Sequence, residues 1–471
     1  MRKVFKFLLT IALIVTMVFS GAIDSFGGTA NGTGEIKVQL NGENLVFTDV
    51  SPEIVNGSTM VPSRQILEAL GEGAAPFTDS AAQSACVPVR SFAESRGYCV
   101  DWDAREKTVV IFDPETLFGN ADEDFSIFLK LIKTDLDYEQ AYAAAGNFNM
   151  ELLSYETAES ALGGIDVSFK GEFSGIQQKS NADMEMSLTV DTDKMKGAIP
   201  PEDTADAAAV LDLLENISLS MKMDGEAGTA YMHSNIFSAM DPEIDENTWF
   251  KMMSLYEPYE EAGIDMQAFT RLGYSDMDLS ELLVQAVSSL DDMDVSTYKN
   301  IKSDYTFIKN LIGDDAFRTE TSGSIETHTL KIDKKAILAA IAKTAISEGI
   351  PGGALEPEDT EGLEDLADSV NFEVDLTIKE KQEKLYSYDV NGSFSMERID
   401  CSFDAAGDTM NADVQVTLDM KDLMKIGINT ESHMTETSKA PDLNPPSDAV
   451  IVEYFPGAPD HPALPAAPEA L

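Results

Sequence analysis

Strict alternation of apolar and polar residues runs through the middle and later parts of the chain. Met184, Met186, Leu188 and Val190 alternate with Glu185, Ser187 and Thr189. Ile217, Leu219, Met221 and Met223 alternate with Ser218, Ser220 and Lys222. The same period recurs at Phe372, Val374, Leu376 and Ile378, and at Val414, Val416, Leu418 and Met420. Tyr386, Tyr388 and Val390 begin a further run that continues past Asn391-Gly392 with Phe394 and Met396. A period of two gives each strand one apolar face and one wet face. Parallel strands, covered on both sides, read as unbroken apolar runs, so these strands are expected to pair antiparallel. Other segments carry helical spacing: Phe125, Phe128, Leu129, Ile132 and Leu136; Tyr298 to Ile312; and Ile337, Leu338, Ile341 and Ala345. Leu279, Leu282, Leu283, Ala286, Val287 and Leu290 form another, with Asp278 and Glu281 placed as a capping box. The pattern predicts a large domain over residues 125–436, an antiparallel sheet covered by helices.

Upstream, one phrase occurs twice. Val61-Pro62-Ser63-Arg64 opens a segment that ends at Gly71, and Val87-Pro88-Val89-Arg90 opens one that ends at Gly97. Proline fixes φ and lacks an N–H, which suits a junction of strand and helix, and glycine supplies a left-handed stop. Ile36, Val38 and Leu40 alternate before an Asn41-Gly42 turn and Leu45-Val46-Phe47, a hairpin pattern. Tyr98, Val100 and Trp102 alternate later, and Thr108 to Phe112 is apolar and β-branched. With the Pro52 segment, Asn56-Gly57-Ser58-Thr59-Met60, Glu68-Ala69-Leu70-Gly71 and Val100-Asp101-Trp102-Asp103, the stretch 35–112 resembles the copper amine oxidase N-terminal-like module of secreted bacterial proteins. That family usually has Leu after the proline, where this chain has Ser63 and Val89. The resemblance implies a small module of hairpins and short helices that serves as a non-catalytic stalk or surface unit.

The ends of the chain have their own character. Arg2, Lys3 and Lys6 precede an apolar stretch from Phe7 to Phe19, and Ser20-Gly21-Ala22 follows with small residues, so residues 1–22 read as a secretory signal peptide. No later segment approaches the ~20 apolar residues that a membrane helix needs. The mature chain is therefore expected outside the cell, secreted or held at the surface, with no integral membrane span. Asp113 to Asp124 reads as an acidic link between the two domains. Residues 437–471 are rich in Pro and read as an extended or disordered tail, in which only Val450 to Phe455 is apolar enough to dock as a lone strand. The expected architecture is thus α+β: small module, large sheet domain, Pro-rich tail.

Charge narrows the partners. The chain has 83 Asp and Glu against 33 Lys and Arg, a net charge of −50, and nearly all of the excess lies on residues 113–436. Such a surface repels phosphate backbones, which excludes nucleic acid as a partner. Most of these carboxylates are expected to form solvated faces that keep the protein soluble. Of the three cysteines, Cys86 and Cys99 bracket the second repeat. They either close a disulfide after export or stay free, with Cys99 on the polar strand face beside Asp101.

Gly228-Thr229-Ala230-Tyr231-Met232 and Thr248-Trp249-Phe250-Lys251-Met252, set among the long alternating strands, resemble the curved antiparallel sheets of LolA/LppX-like bacterial lipoproteins. The chain departs from that group in having no lipobox cysteine. Met184, Met186, Met221, Met223, Tyr231 and Trp249 are the candidate residues for an apolar ligand or an extracellular partner. Methionine is flexible and polarizable, so a Met-rich face adapts to more than one shape. The competing reading is that these methionines fill the core beneath the helices.

Catalytic chemistry leaves little trace. A copper oxidase needs clustered His ligands and an Asn-Tyr-Asp/Glu context, but His233, His328, His433 and His461 are scattered and that context is absent. Asp241, Glu243, Asp245, Glu246 and Asn247 crowd one turn with calcium-type oxygens, yet without EF-hand spacing, and a solvated loop is favoured. Arg64 and Arg90 occupy equivalent repeat positions, with pairing to nearby carboxylates favoured over recognition. The sequence assigns no catalytic residue, no metal ligand and no cofactor. It points to a non-enzymatic binding protein, with a secreted hydrolase built on the second domain as the alternative.

Overall fold

The computed structural model describes residues 36–48, 50–71, 86–104, 107–132, 137, 139–155, 166–192, 213–225, 227–241, 243–252, 278–288, 295–347, 370–396 and 398–454. The signal-peptide reading of residues 1–22 and the tail beyond residue 454 lie outside them. The fold is α+β, with a large sheet domain.

The N-terminal module is built from two small sheets. One joins β1 (Lys37–Leu40), β2 (Glu43–Asn44), β6 (Cys99–Asp103) and β7 (Thr108–Phe112) in the order β2-β1-β7-β6, with β1 and β7 parallel. The other joins β3 (Glu53–Val55), β4 (Ser58–Pro62) and β5 (Cys86–Pro88). Each repeat of the Val-Pro-x-Arg phrase ends a strand and starts a helix: α1 (Ser63–Ala69) follows Pro62 at φ −58°, and α2 (Val89–Glu94) follows Pro88 at φ −64°. Gly71 and Gly97 adopt φ of +74° and +86°, the left-handed stop that the sequence requires. Arg64 pairs with Glu68 at 2.9 Å, and Arg90 reaches both Glu94 at 3.3 Å and Asp101 at 3.1 Å, tying helix to strand.

Strand β7 is buried along its whole length, as an unbroken apolar run demands. Val109 and Ile111 face the module's core with Val38, Val61 and Ile66. Val110 and Phe112 face the other way, into a cluster with Val287, Val295 and Tyr298. The latter three belong to α7 (Leu279–Ser288) and α8 (Val295–Ile312), and the Phe112 and Tyr298 rings meet at 5.0 Å. The module is thus seated on the helices of the larger domain.

The supposed acidic link is folded, which corrects that expectation. It forms α3 (Pro114–Phe118) and α4 (Ala121–Asp124), followed by α5 (Ser126–Ile132). Its acids serve as caps. Asp113 accepts from Glu115 N at 3.1 Å, and Asp122 accepts from Leu279 N at 2.9 Å and Ser280 N at 3.0 Å. The first turn of α7 is therefore satisfied by a carboxylate distant in sequence. Asp314 does the same for α5, accepting from Ile127 N at 2.9 Å.

The large sheet has fourteen strands: β8 (Ala141–Ser154), β9 (Asp166–Gln178), β10 (Asn181–Val190), β11 (Ile217–Asp224), β12 (Thr229–Ser234), β13 (Thr248–Met252), β14 (Arg318–Ser322), β15 (Ile325–Asp333), β16 (Val370–Lys381), β17 (Lys384–Met396), β18 (Ile399–Gly407), β19 (Asn411–Met420), β20 (Met424–Thr437) and β21 (Val450–Tyr454). The later strands β14 to β20 run in sequence order, β20 then pairs with β8, and β8 to β13 follow, ending at β21. Among the described residues every pair of this sheet is antiparallel except β13 with β21, so the sheet is mixed, not wholly antiparallel as its alternation suggests. The tail expectation is corrected over residues 438–454. Lys222 Nζ donates to the Asp442 carbonyl at 2.8 Å, and Val450–Tyr454 then adds to the sheet edge.

Cross-strand partners share a face, and following them gives one apolar face across the sheet. On its β15–β18 side this face is closed by helices: Leu330, Val374, Leu376, Ile378, Val390 and Phe403 form a buried cluster with Ile127 of α5. Phe307 and Leu311 of α8 pack on Ile337 and Ile341 of α9 (Lys334–Ser347) to form a second layer.

Candidate functional site

The six residues singled out for an apolar ligand do not come together. Met184 pairs with Met221, Met186 with Leu219, and Met223 with Ala182, which puts the four methionines on the apolar face. Tyr231 pairs with Lys222 and Lys251, one residue out of step with Met232, the partner of Met221, so it points to the opposite face. Trp249 shares that opposite face, where it is buried and stacks on His233 at 5.4 Å. The methionines are only partly buried, and none belongs to the buried clusters of the described residues.

A large hollow lies across the polar face. It is a trough of about 1090 Å³ that crosses seven strands, β18 to β20 and β8 to β11. Register explains its lining. One row of partners runs Ala406, Asp413, Glu431, Asn147, Glu172, Ser187 and Ser218; the next runs Asn411, His433, Ala145, Ser174, Glu185 and Ser220. Ala145, Ser174, Ser187, Ser218 and Ser220 are short, and their size leaves the space that the longer Glu172, Glu185, Glu431 and Asp413 border. A hollow of about 360 Å³ continues the trough past Asp183 and Thr435 to Lys439. Another of about 400 Å³ lies by Glu373, Asp375, Asn391 and Asp404. There, burial together with Asp389 and Asp413 pushes the Asp404 carboxyl above its ordinary value. Of the candidate residues for an apolar ligand, Met186 alone lines one of these three hollows, the trough, beside Phe173 and Leu219; Met184, Met221, Met223, Tyr231 and Trp249 line none of the three.

Other candidates resolve structurally. Asp241 and Asp245 use their carboxylates to close turns, accepting from Glu243 N and Asn247 N at 2.9 and 2.8 Å. Cys86 and Cys99 are free thiols and make no disulfide, which corrects that alternative. They sit in different sheets, and Cys99 Sγ lies 3.9 Å from Ser288 Oγ. Burial, the largest influence, pushes the Cys99 thiol upward. Among the described residues, no helix is long and apolar enough to cross a membrane.

One group was missed in the sequence. Glu326, His328 and Glu380 bring a carboxylate oxygen, a ring nitrogen and a second carboxylate oxygen within 4.8 Å of one another. Their sequence spacing gives no sign of this, because Glu380 arrives from the neighbouring strand; only the β15–β16 register reveals it.

No family model matches the chain, and no curated protein matches it. Among solved structures, a mutant of the porin from Rh. blastica is 8% identical, with 62% of this chain and 100% of that chain covered, at a TM-score of 0.14. A triple mutant of the Rhodopseudomonas blastica porin gives the same 8%, 62%, 100% and 0.14. At that score the likeness carries no argument about fold or function.

Proposed function

We propose that this is a non-enzymatic binding protein, secreted or held at the bacterial surface, in which residues 35–112 act as a stalk and the large sheet presents the ligand surface. The observation that supports this reading is the trough of about 1090 Å³, a size suited to a ligand and lined by hydroxyl, amide and carboxylate groups together with apolar residues such as Phe173, Met186 and Leu219. Four carboxylates, Glu172, Glu185, Asp413 and Glu431, border it, so the fitting ligand carries positive charge and hydrogen-bond donors, as a Lys- or Arg-bearing peptide segment does. The partly exposed Met184, Met186, Met221 and Met223 favour a second reading, in which an apolar ligand or partner covers the other face. The hydrolase alternative draws on the raised Asp404 carboxyl, but the hollow beside it is lined by Ser, Asn and acidic residues with no His base.

One titration separates the two ligand readings. The full chain is titrated with a basic peptide and, in parallel, with an apolar fluorescent dye. Binding of the peptide is expected to weaken about tenfold or more in Glu172→Gln/Glu185→Gln, as loss of charge-assisted hydrogen bonds implies. Glu320→Gln, on exposed β14, serves as the control for diffuse attraction to a chain of charge −50. Equal affinity in all three proteins removes the trough reading. Dye binding lost in Met184→Ser/Met221→Ser, with no trough-dependent peptide binding, moves the ligand to the apolar face.

A further inference from the structure

At the far side of the sheet from the trough, Glu326, His328 and Glu380 share the apolar face at its margin. Glu326 pairs directly with Glu380, and His328 lies two residues along β15. The β15–β16 ladder is unbroken here, while on the other side of β16 its pairing with β17 shifts register between Lys379 and Glu380 and passes over Tyr386. His328 and Glu380 are 4% and 6% exposed, while Glu326 stands at the solvent side. His328 Nε2 lies 3.0 Å from Glu380 Oε1, and its Nδ1 lies 2.8 Å from Thr319 Oγ1 on β14. Lys130 of α5 holds the other Glu380 oxygen. Lys130 and His328 thus engage the two Glu380 oxygens separately, one each.

We propose that these three residues form a binding site for a divalent transition-metal ion of the zinc class, with His328 Nε2, one Glu380 oxygen and one Glu326 oxygen as protein ligands and solvent in the open position. Imidazole nitrogen and carboxylate oxygen are both donors that zinc takes in three-ligand sites. Two ligand atoms each about 2.1 Å from a tetrahedral ion lie about 3.4 Å apart, so Nε2 and Oε1, at 3.0 Å, reach that spacing by parting a few tenths of an ångström. The outer partners are in place as well. Ligating imidazoles donate their second N–H to an oxygen, and Thr319 Oγ1 stands at Nδ1; ligating carboxylates are hydrogen-bonded in turn, and Lys130 stands at Glu380. Without metal, Nε2–H donates to Glu380 and the Thr319 hydroxyl donates to Nδ1. With metal, the ion takes the place of the Nε2 proton, the imidazole proton sits on Nδ1, and Thr319 turns from donor to acceptor. The simpler alternative is a metal-free staple, in which Lys130, Glu380, His328 and Thr319 bind α5 and β14 to the sheet.

The test uses the full chain stripped with chelator and titrated with Zn²⁺ at high salt, with Co²⁺ as a visible-absorbance probe of imidazole ligation. One tight equivalent is expected. Glu326→Gln, at the exposed position, is expected to weaken it at least tenfold while leaving the melting temperature of the metal-free chain unchanged. His328→Gln is expected to remove the ligation spectrum of Co²⁺. The proposal is overturned if wild type and Glu326→Gln bind Zn²⁺ equally. It is also overturned if no equivalent survives high salt, or if the variants only lower metal-free stability without altering affinity.

Discussion

At the scale of single residues, acidic side chains do much of the structural work that the net charge conceals. Asp408 closes the β18–β19 turn, accepting from Met410 N at 2.7 Å and Asn411 N at 2.8 Å. Burial would raise its carboxyl, yet the bonds from Asn411 and the two backbone groups prevail and hold it below the ordinary 3.8. A lowered folded-state value means that the stabilisation is complete above the unfolded value and is lost as pH falls through the folded one. Asp408→Ala is expected to lose about 1–2 kcal/mol at neutral pH, measured by urea unfolding. The deficit relative to wild type should shrink as the pH is taken below about 3.8, and a constant deficit down to acid pH would refute this account. Little of this was legible beforehand. The sequence shows Asp408 beside a turn, but not which N–H groups it meets. Likewise Tyr231 and Trp249 join the methionines only through the resemblance of their hairpin to LolA/LppX-like sheets. Only the β11–β12–β13 register shows that they face the other way.

At the scale of elements, alternation was a reliable guide. Strands β10, β11, β16, β17 and β19 stand where the period of two places them, and α7, α8 and α9 where the helical spacing does. Glycines within the strands were harder to interpret. Gly392 of β17 faces Phe403 of β18, and a Cβ there would lie 2.2 Å from the Phe403 ring. The ring lies over the bare backbone, an arrangement that compensates for glycine within a strand. Gly392→Ala is expected to cost about 1–3 kcal/mol, the usual range for overpacking. In a Phe403→Leu background the same change should cost clearly less, and equal costs in both backgrounds would show that the ring is not the obstacle. The parallel docking of β21 was half legible. Its apolar run marks it as able to pair, but nothing in the sequence names β13 as its partner.

For the whole molecule, the sequence reading separated a module from a sheet domain, and the structure places Val110 and Phe112 of that module against α7 and α8. The unbroken apolar run of β7 was the available sign, since a strand buried on both faces must have a second neighbour. The order of the sheet has a consequence for how the protein is made. Strand β8 comes early, β20 comes late, and the two pair along their full lengths at the middle of the sheet, with Gln140 and Thr437 bonded across 297 residues. If the chain is exported as its first residues suggest, β8 can pair with β9 early, but its β20-facing edge stays unpaired until nearly all of the chain has crossed. Contacts so far apart in sequence form late and slowly. Chains truncated before β20 are therefore expected to expose the β8 edge to protease and to aggregate, whereas truncation after β21 leaves every strand pair in place. Limited proteolysis of staged truncations reads this directly, and early protection of β8 would mean that the first half of the sheet matures without the second.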